Sequence, residues 1–137
     1  MTTPGAGDTP GNTEDTAVVV SRSVSLPVKE IWRLLTSRAG SEALLGAGGE
    51  LGDKGDTWHA ADGTYGVVRS YHPLEEVRLT WHAAADAPST IVEVRTQAAE
   101  GETTVEVRHV NVPSYFDKAA LARRWEKFLD DLVALAA

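Results

Sequence analysis

The last stretch of the chain, from Ser114 to Ala137, limits most severely what the rest can be. It reads SYFDKAALARRWEKFLDDLVALAA, and Leu121, Trp125, Phe128, Leu132 and Leu135 follow one another at spacings of four, three, four and three. That is the period of one helix face, widened by Leu129, Val133 and Ala136. Arg123, Arg124, Glu126, Lys127, Asp130 and Asp131 fill the opposite side, where Lys127 reaches Asp131 one turn on. Ser114 and Asp117, directly after Pro113, carry the signature of a helix start. Such a helix is not stable alone in water and needs an apolar surface to cover. The preceding chain has to supply it.

The pattern of that preceding chain is strand-like. Ala17 to Leu26 is valine-rich and alternates after Val20, with Arg22 on the face of Val20 and Val24 and therefore suited to a sheet edge. Pro27 then opens a short helix in which Val28, Ile31, Trp32 and Leu35 share a face, and Ser41 to Leu45 forms a second helical piece stopped by Gly46. The loop from Ala47 to Asp56 is glycine-rich but lacks the Gly-Lys-Ser/Thr spacing of a phosphate cradle, and reads as a flexible turn. Five more strands follow: Thr57 to Ala60, Thr64 to Tyr71, Val77 to Ala83, Thr90 to Gln97 and Thr103 to Val110. Asp62-Gly63 and Glu100-Gly101 are tight-turn signals between them. Six strands joined mostly by tight turns predict an antiparallel sheet with one wet face and one face covered by helices, an α+β fold. A sheet of that size curls, and the space it leaves beneath the long helix is the natural place for a ligand.

Composition excludes several classes of function. The chain has 137 residues and 42% apolar residues, enough for one domain with one core. Residues 1–16 carry almost no apolar side chain and read as a disordered tail, leaving 17–137 as the folded domain. Net charge is −7, of which Asp8, Glu14 and Asp15 in the tail supply −3, so the domain itself carries −4. An acidic globule is ill suited to nucleic acid or to an anionic membrane surface. No run of apolar residues is long enough to span a bilayer, and the start lacks the basic and apolar regions of a secretory signal. Cysteine is absent, which removes disulfides, thiolate nucleophiles and cysteine-based zinc sites. A cytoplasmic monomer or homodimer without cofactor is the expectation.

Beyond these patterns, the run G-T-Y-G-V-V-R-S-Y-H-P-L-E-E-V-R-L-T-W from Gly63 to Trp81 resembles the core of the SRPBCC superfamily. More narrowly, it is similar to the homologues of the activator of the ninety-kilodalton heat-shock chaperone's ATPase (AHSA-type). Thr103 to His109 is similar to that family's T-x-V-x-L-x-H strand, and Trp125 with Phe128, Leu129 and Leu132 to its terminal W-x-x-x-L-x-x-L helix. Leu44-Leu45-Gly46 and Asn111 stand where the family often has tryptophan before Leu/Phe-Gly and a Ser-Gly-like residue. The resemblance implies the helix-grip fold shared with lipid-transfer and pollen-allergen domains. It also implies a possible chaperone partner.

The candidate chemistry centres on one histidine. Alternation places His109 on the apolar face with Val105 and Val107, where it is a satisfied core residue, a polar anchor for a ligand, or a general base. His59 and His82 each follow a tryptophan and face away from it, and no metal-ligand spacing joins the histidines. No Gly-x-Ser-x-Gly elbow is present, and Glu75-Glu76 reads as a solvated turn pair. Trp58, Trp81 and Trp125 either line a pocket or simply fill a core. The side chains expected around a ligand are Leu45, Trp58, Tyr65, Trp81, Val94, His109, Leu121, Trp125 and Phe128. Three functions compete: non-enzymatic binding of a small apolar or aromatic molecule, a chaperone-associated surface module, and a cyclase- or hydrolase-type enzyme using His109.

Overall fold

The computed structural model describes residues 17–136. The chain runs β1 (Val18–Val24), α1 (Val28–Leu35), α2 (Arg38–Leu45), β2 (Thr57–His59), β3 (Tyr65–His72), β4 (Glu76–Trp81), β5 (Thr90–Ala99), β6 (Glu102–Val110), α3 (Lys118–Ala136). The tail expected over residues 1–16 lies outside the described residues. All six strands form one antiparallel sheet in the order β1-β6-β5-β4-β3-β2, with α3 laid across one face: a helix-grip α+β fold. No helix among the described residues is long and apolar enough to cross a membrane.

Strand alternation sorts the faces as the sequence pattern requires. Val92 and Val94 of β5, Val105 and Val107 of β6, and Val77, Leu79 and Trp81 of β4 are buried beneath the helices. β1 is an edge strand, and Arg22 on its inner face escapes burial by reaching Asp130 of α3 at 2.8 Å. The outer face is polar. Its centre is Glu93, 7% exposed, with Arg78 and Arg95 each at 3.3 Å and Arg108 at 3.7 Å. A carboxylate so enclosed is tolerable because three guanidiniums, Arg95 on its own strand and Arg78 and Arg108 on the two neighbouring strands, answer its charge.

In β3 the consecutive valines, Val67 and Val68, leave the strand's facing open at the level of sequence, and a bulge decides it. The register shifts between Val68 and Ser70, leaving Arg69 as the extra residue. Val68 therefore faces inward opposite Leu79, and Tyr71 faces inward opposite Val77, where its ring packs 5.8 Å from that of Trp32. Tyr65, on the other side of the bulge, faces outward.

Two helix boundaries differ from the sequence expectation. α2 begins at Arg38, three residues earlier than Ser41, because Ser37 caps it by accepting the Gly40 N–H at 3.2 Å. α3 begins at Lys118 rather than Ser114: the carboxylate of Asp117 accepts the Ala120 N–H at 3.0 Å, while Ser114 belongs to a preceding turn closed by Phe116 N–H on Pro113 C=O. The apolar stripe also ends early. Leu121, Trp125, Phe128, Leu129 and Leu132 are buried, but Val133 and Leu135 are 36% and 38% exposed. Facing the last turn, α2 offers Ala39 and Ala43, too small to fill the gap, and an open cleft of about 420 Å³ remains.

Candidate functional site

At the end of the sheet where β2, β3 and β4 meet, large aromatics crowd the inner face. Trp58 pairs with Gly66, and a Cβ on Gly66 would run into the Thr80 carbonyl oxygen and come within 2.8 Å of Trp58 Nε1. The indole of Trp58 lies in the space that the missing side chain leaves. Trp81 follows on β4 and pairs with Thr90 of β5, which is fully buried. His109 of β6 stands one register step further, opposite Val92.

His109 is 0% exposed and both its ring nitrogens are engaged. Trp125 Nε1 lies 3.2 Å from Nδ1, and an indole N–H can only donate, so Nδ1 is the unprotonated nitrogen. Nε2 therefore carries the proton and donates it to Thr90 Oγ1 at 2.7 Å, while the threonine hydroxyl donates to the Trp81 carbonyl at 2.8 Å. The bonds run in one direction, Trp125 to His109 to Thr90 to Trp81, and all are satisfied. Around them Trp81 meets the imidazole edge-on with centroids 4.8 Å apart, and Trp125 with centroids 5.7 Å apart. Burial first, and the charge of Arg124 second, lower the His109 pKa from 6.5 to about 4. This imidazole has no free lone pair with which to take a proton from a substrate, since the indole occupies it.

Arg124 covers the cluster from outside. Its guanidinium carbon sits 5.3 Å from the Trp81 ring centroid and 5.5 Å from that of Trp125. Nη1 donates to Asp62 Oδ2 at 3.2 Å, and Nη2 makes a long contact of 3.4 Å with the Leu45 carbonyl at the end of α2. Asp62 is held in turn by Thr64, whose hydroxyl and N–H donate to Oδ1 at 2.7 and 3.1 Å. Burial acts to raise the Asp62 pKa, but the Thr64 bonds and Arg124 outweigh it and hold the carboxyl below its ordinary value. Immediately outside lies a cleft of about 250 Å³, lined by Gly46, Asp62, Arg124, Lys127 and Phe128 among others.

Of the nine side chains expected around a ligand, eight lie in the buried core: Leu45, Trp58, Trp81, Val94, His109, Leu121, Trp125 and Phe128. Trp81, His109 and Trp125 are in mutual contact. Tyr65 is placed elsewhere, on the outer face, stacked on His82 with centroids 4.4 Å apart and bonded through its hydroxyl to Ala85 C=O at 3.2 Å. Alternation from the inward Val68 places Tyr65 outward, while the bulge after Val68 brings Tyr71 inward. His59 and His82 face outward, as their positions after tryptophans imply. Three functional residues were not visible as such in the sequence: Thr90, Asp62 and Arg124. A signal for Arg124 existed, since it lies three residues after Leu121 and four before Phe128, on the border of the buried stripe.

No protein-family model and no curated sequence matches the chain. Solved structures do. MLL2253 from Mesorhizobium loti is 20% identical with a TM-score of 0.76, over 88% of this chain and 96% of that one. DynU16, a protein of the dynemicin biosynthetic locus, is 22% identical with a TM-score of 0.73, over 88% of this chain and 46% of that one, so this chain spans about half the length of DynU16. The Aha1 dimer from Colwellia psychrerythraea, solved in solution, is 21% identical with a TM-score of 0.70, over 85% of this chain and 92% of that one. The shared architecture is the helix-grip fold, and at these identities the likeness is one of fold.

Proposed function

We propose that this SRPBCC-fold chain binds a small apolar or aromatic molecule between its sheet and α3, and turns nothing over. One observation carries the reading. Trp58 and Trp81 are 2% and 3% exposed, yet neither indole N–H meets an acceptor among the described residues. The other two tryptophans are satisfied, Trp32 by Thr96 Oγ1 at 2.8 Å and Trp125 by His109. A buried donor without a partner costs about 1–3 kcal/mol, and native interiors pair nearly all of them. A ligand that brings an acceptor to this end of the sheet removes that cost, while aromatic walls supply affinity. His109, neutral and doubly bonded, orients the indole of Trp125 rather than transferring protons.

The test is a titration of aromatic and alkyl compounds followed by intrinsic tryptophan fluorescence and by calorimetry, beside a turnover screen of esters, lactones and polyketide-like substrates. Saturable binding without turnover is expected. Turnover that vanishes in His109→Gln, with folding retained, would replace binding by catalysis. A panel without saturable binding would remove the reading altogether.

A second reading is a surface module, of the chaperone-associated kind that AHSA-type proteins suggest. The close contact of Trp81, His109 and Trp125 favours it, as does the open cleft between α2 and α3 with Leu135 in its wall. Binding of a partner chain with no effect on tryptophan emission, in a protein that binds none of the small molecules, is its signature.

A further inference from the structure

We infer that the ligand carries a single carboxylate, and that the Nε–Nη2 edge of Arg124 receives it. This rests on the reading that a small molecule enters between the sheet and α3, and adds to it the polar group that the molecule must present. The guanidinium has two edges. One is taken, with Nη1 on Asp62 at 3.2 Å. The other is unpaired rather than exposed: Nε is buried with no partner among the described residues, and Nη2, beside the cleft, has only the 3.4 Å contact to Leu45 C=O, which an incoming carboxylate would displace. Parallel N–H groups on that edge match the two oxygens of a carboxylate, which is the geometry arginine recognises best. The plane is held by Trp81 and Trp125 beneath it, so little freedom is lost on binding.

The surroundings narrow the anion further. Arg124 stands in the wall of the 250 Å³ cleft with Ala43 and Ala47, which offer an apolar surface for the body of the ligand. Lys127, also in that wall, is engaged by Asp131 at 2.9 Å. Glu42 accepts the Gly48 N–H at 2.8 Å, and Asp62 is held by Thr64 and Arg124. These carboxylates discourage a phosphate dianion, whose second charge would meet no unpaired cation among the described residues lining the cleft. His109 behind the arginine is neutral and adds no charge of its own. Asp62 is then the resident competitor: it occupies one edge of the guanidinium while the ligand takes the other.

The experiment uses a matched pair of probes, phenylacetate and phenylacetamide, titrated calorimetrically into the full chain at neutral pH. The carboxylate should bind about tenfold tighter than the amide or better, as expected for a charge-assisted pair. In Arg124→Gln the preference should collapse to near unity with amide affinity retained, and Arg124→Lys should keep only part of it. Asp62→Asn should increase carboxylate affinity and leave the amide unchanged. Circular dichroism and urea midpoints check each fold; if Arg124→Gln fails to fold, Arg124→Lys and Asp62→Asn still decide. Equal affinities in the native chain, or a preference that survives Arg124→Gln, would overturn the carboxylate and leave the apolar-ligand reading intact. Failure of both probes to bind would overturn the carboxylate, and the wider fluorescence panel then decides the apolar-ligand reading separately.

Discussion

His109 shows how one buried residue can be fixed in a single chemical state by its neighbours. In the unfolded chain its pKa is near 6.5, and in the fold it is about 4. Between those values the unfolded state binds a proton that the folded state refuses, so stability rises with pH across that window. The contribution is fully present above about 6.5 and is lost as pH falls toward 4, a change of about 3 kcal/mol. Urea denaturation at a series of pH values should show this slope, and His109→Gln should flatten it. The same substitution should cost about 1–3 kcal/mol at neutral pH, since a flexible amide cannot hold both Trp125 and Thr90 in the imidazole geometry. An unchanged acid limb in the mutant would mean that carboxylates alone set it. Gly66 is another residue whose identity is forced. Gly66→Ala should cost about 1–3 kcal/mol by overpacking against Thr80 and Trp58, measured by the urea midpoint, and should alter Trp58 emission.

Among the elements, α3 is stabilised mainly by what it buries. Trp125 contributes the largest buried side chain of that helix and the hydrogen bond to His109 Nδ1. Trp125→Ala should therefore cost about 3–5 kcal/mol, at the high end because the imidazole loses its donor as well as its packing. A denaturation curve within about 1 kcal/mol of the native one would show that the helix does not depend on this contact. α2 depends instead on its cap. Ser37→Ala removes the acceptor for Gly40 N–H and should cost about 0.5–2 kcal/mol, read from the same measurement.

The described residues share one apolar interior: a single continuous cluster runs from Val18 of β1 through α1, α2 and the sheet to Leu132 of α3. No element owns a separate core, so unfolding should be one cooperative transition, with tryptophan emission and far-ultraviolet dichroism changing together in urea. Two separated transitions would show that the β2–β3 end, beside Arg124 and the cleft it lines, opens independently. Under the proposed binding reading a ligand enters at that end, so added phenylacetate should draw separated transitions back together, by mass action on the folded state.

The architecture was legible from the chain alone because alternation and helical periodicity are local properties. The valines of β5 and β6 face inward for the same reason that Trp125, Phe128 and Leu132 do: the period of the element matches the period of the apolar residues. Fold class, strand number, the long covering helix and the inward facing of His109 all followed from that. Other features depended on geometry that no local pattern encodes. The bulge between Val68 and Ser70 put Tyr71 on the inner face while Tyr65 stayed outward, and Asn111, with φ of 60°, ends β6 in a conformation that asparagine tolerates and most residues do not. Thr90 as the acceptor for His109 required the register of β5 against β6. Arg124 over two tryptophans, with Asp62 on one edge and an unpaired Nε on the other, joins α3 to a turn sixty-two residues earlier in sequence. Local sequence determined which faces are apolar; only packing decided which polar groups those faces would trap, because each trapped group is set by partners that meet it from distant strands and helices.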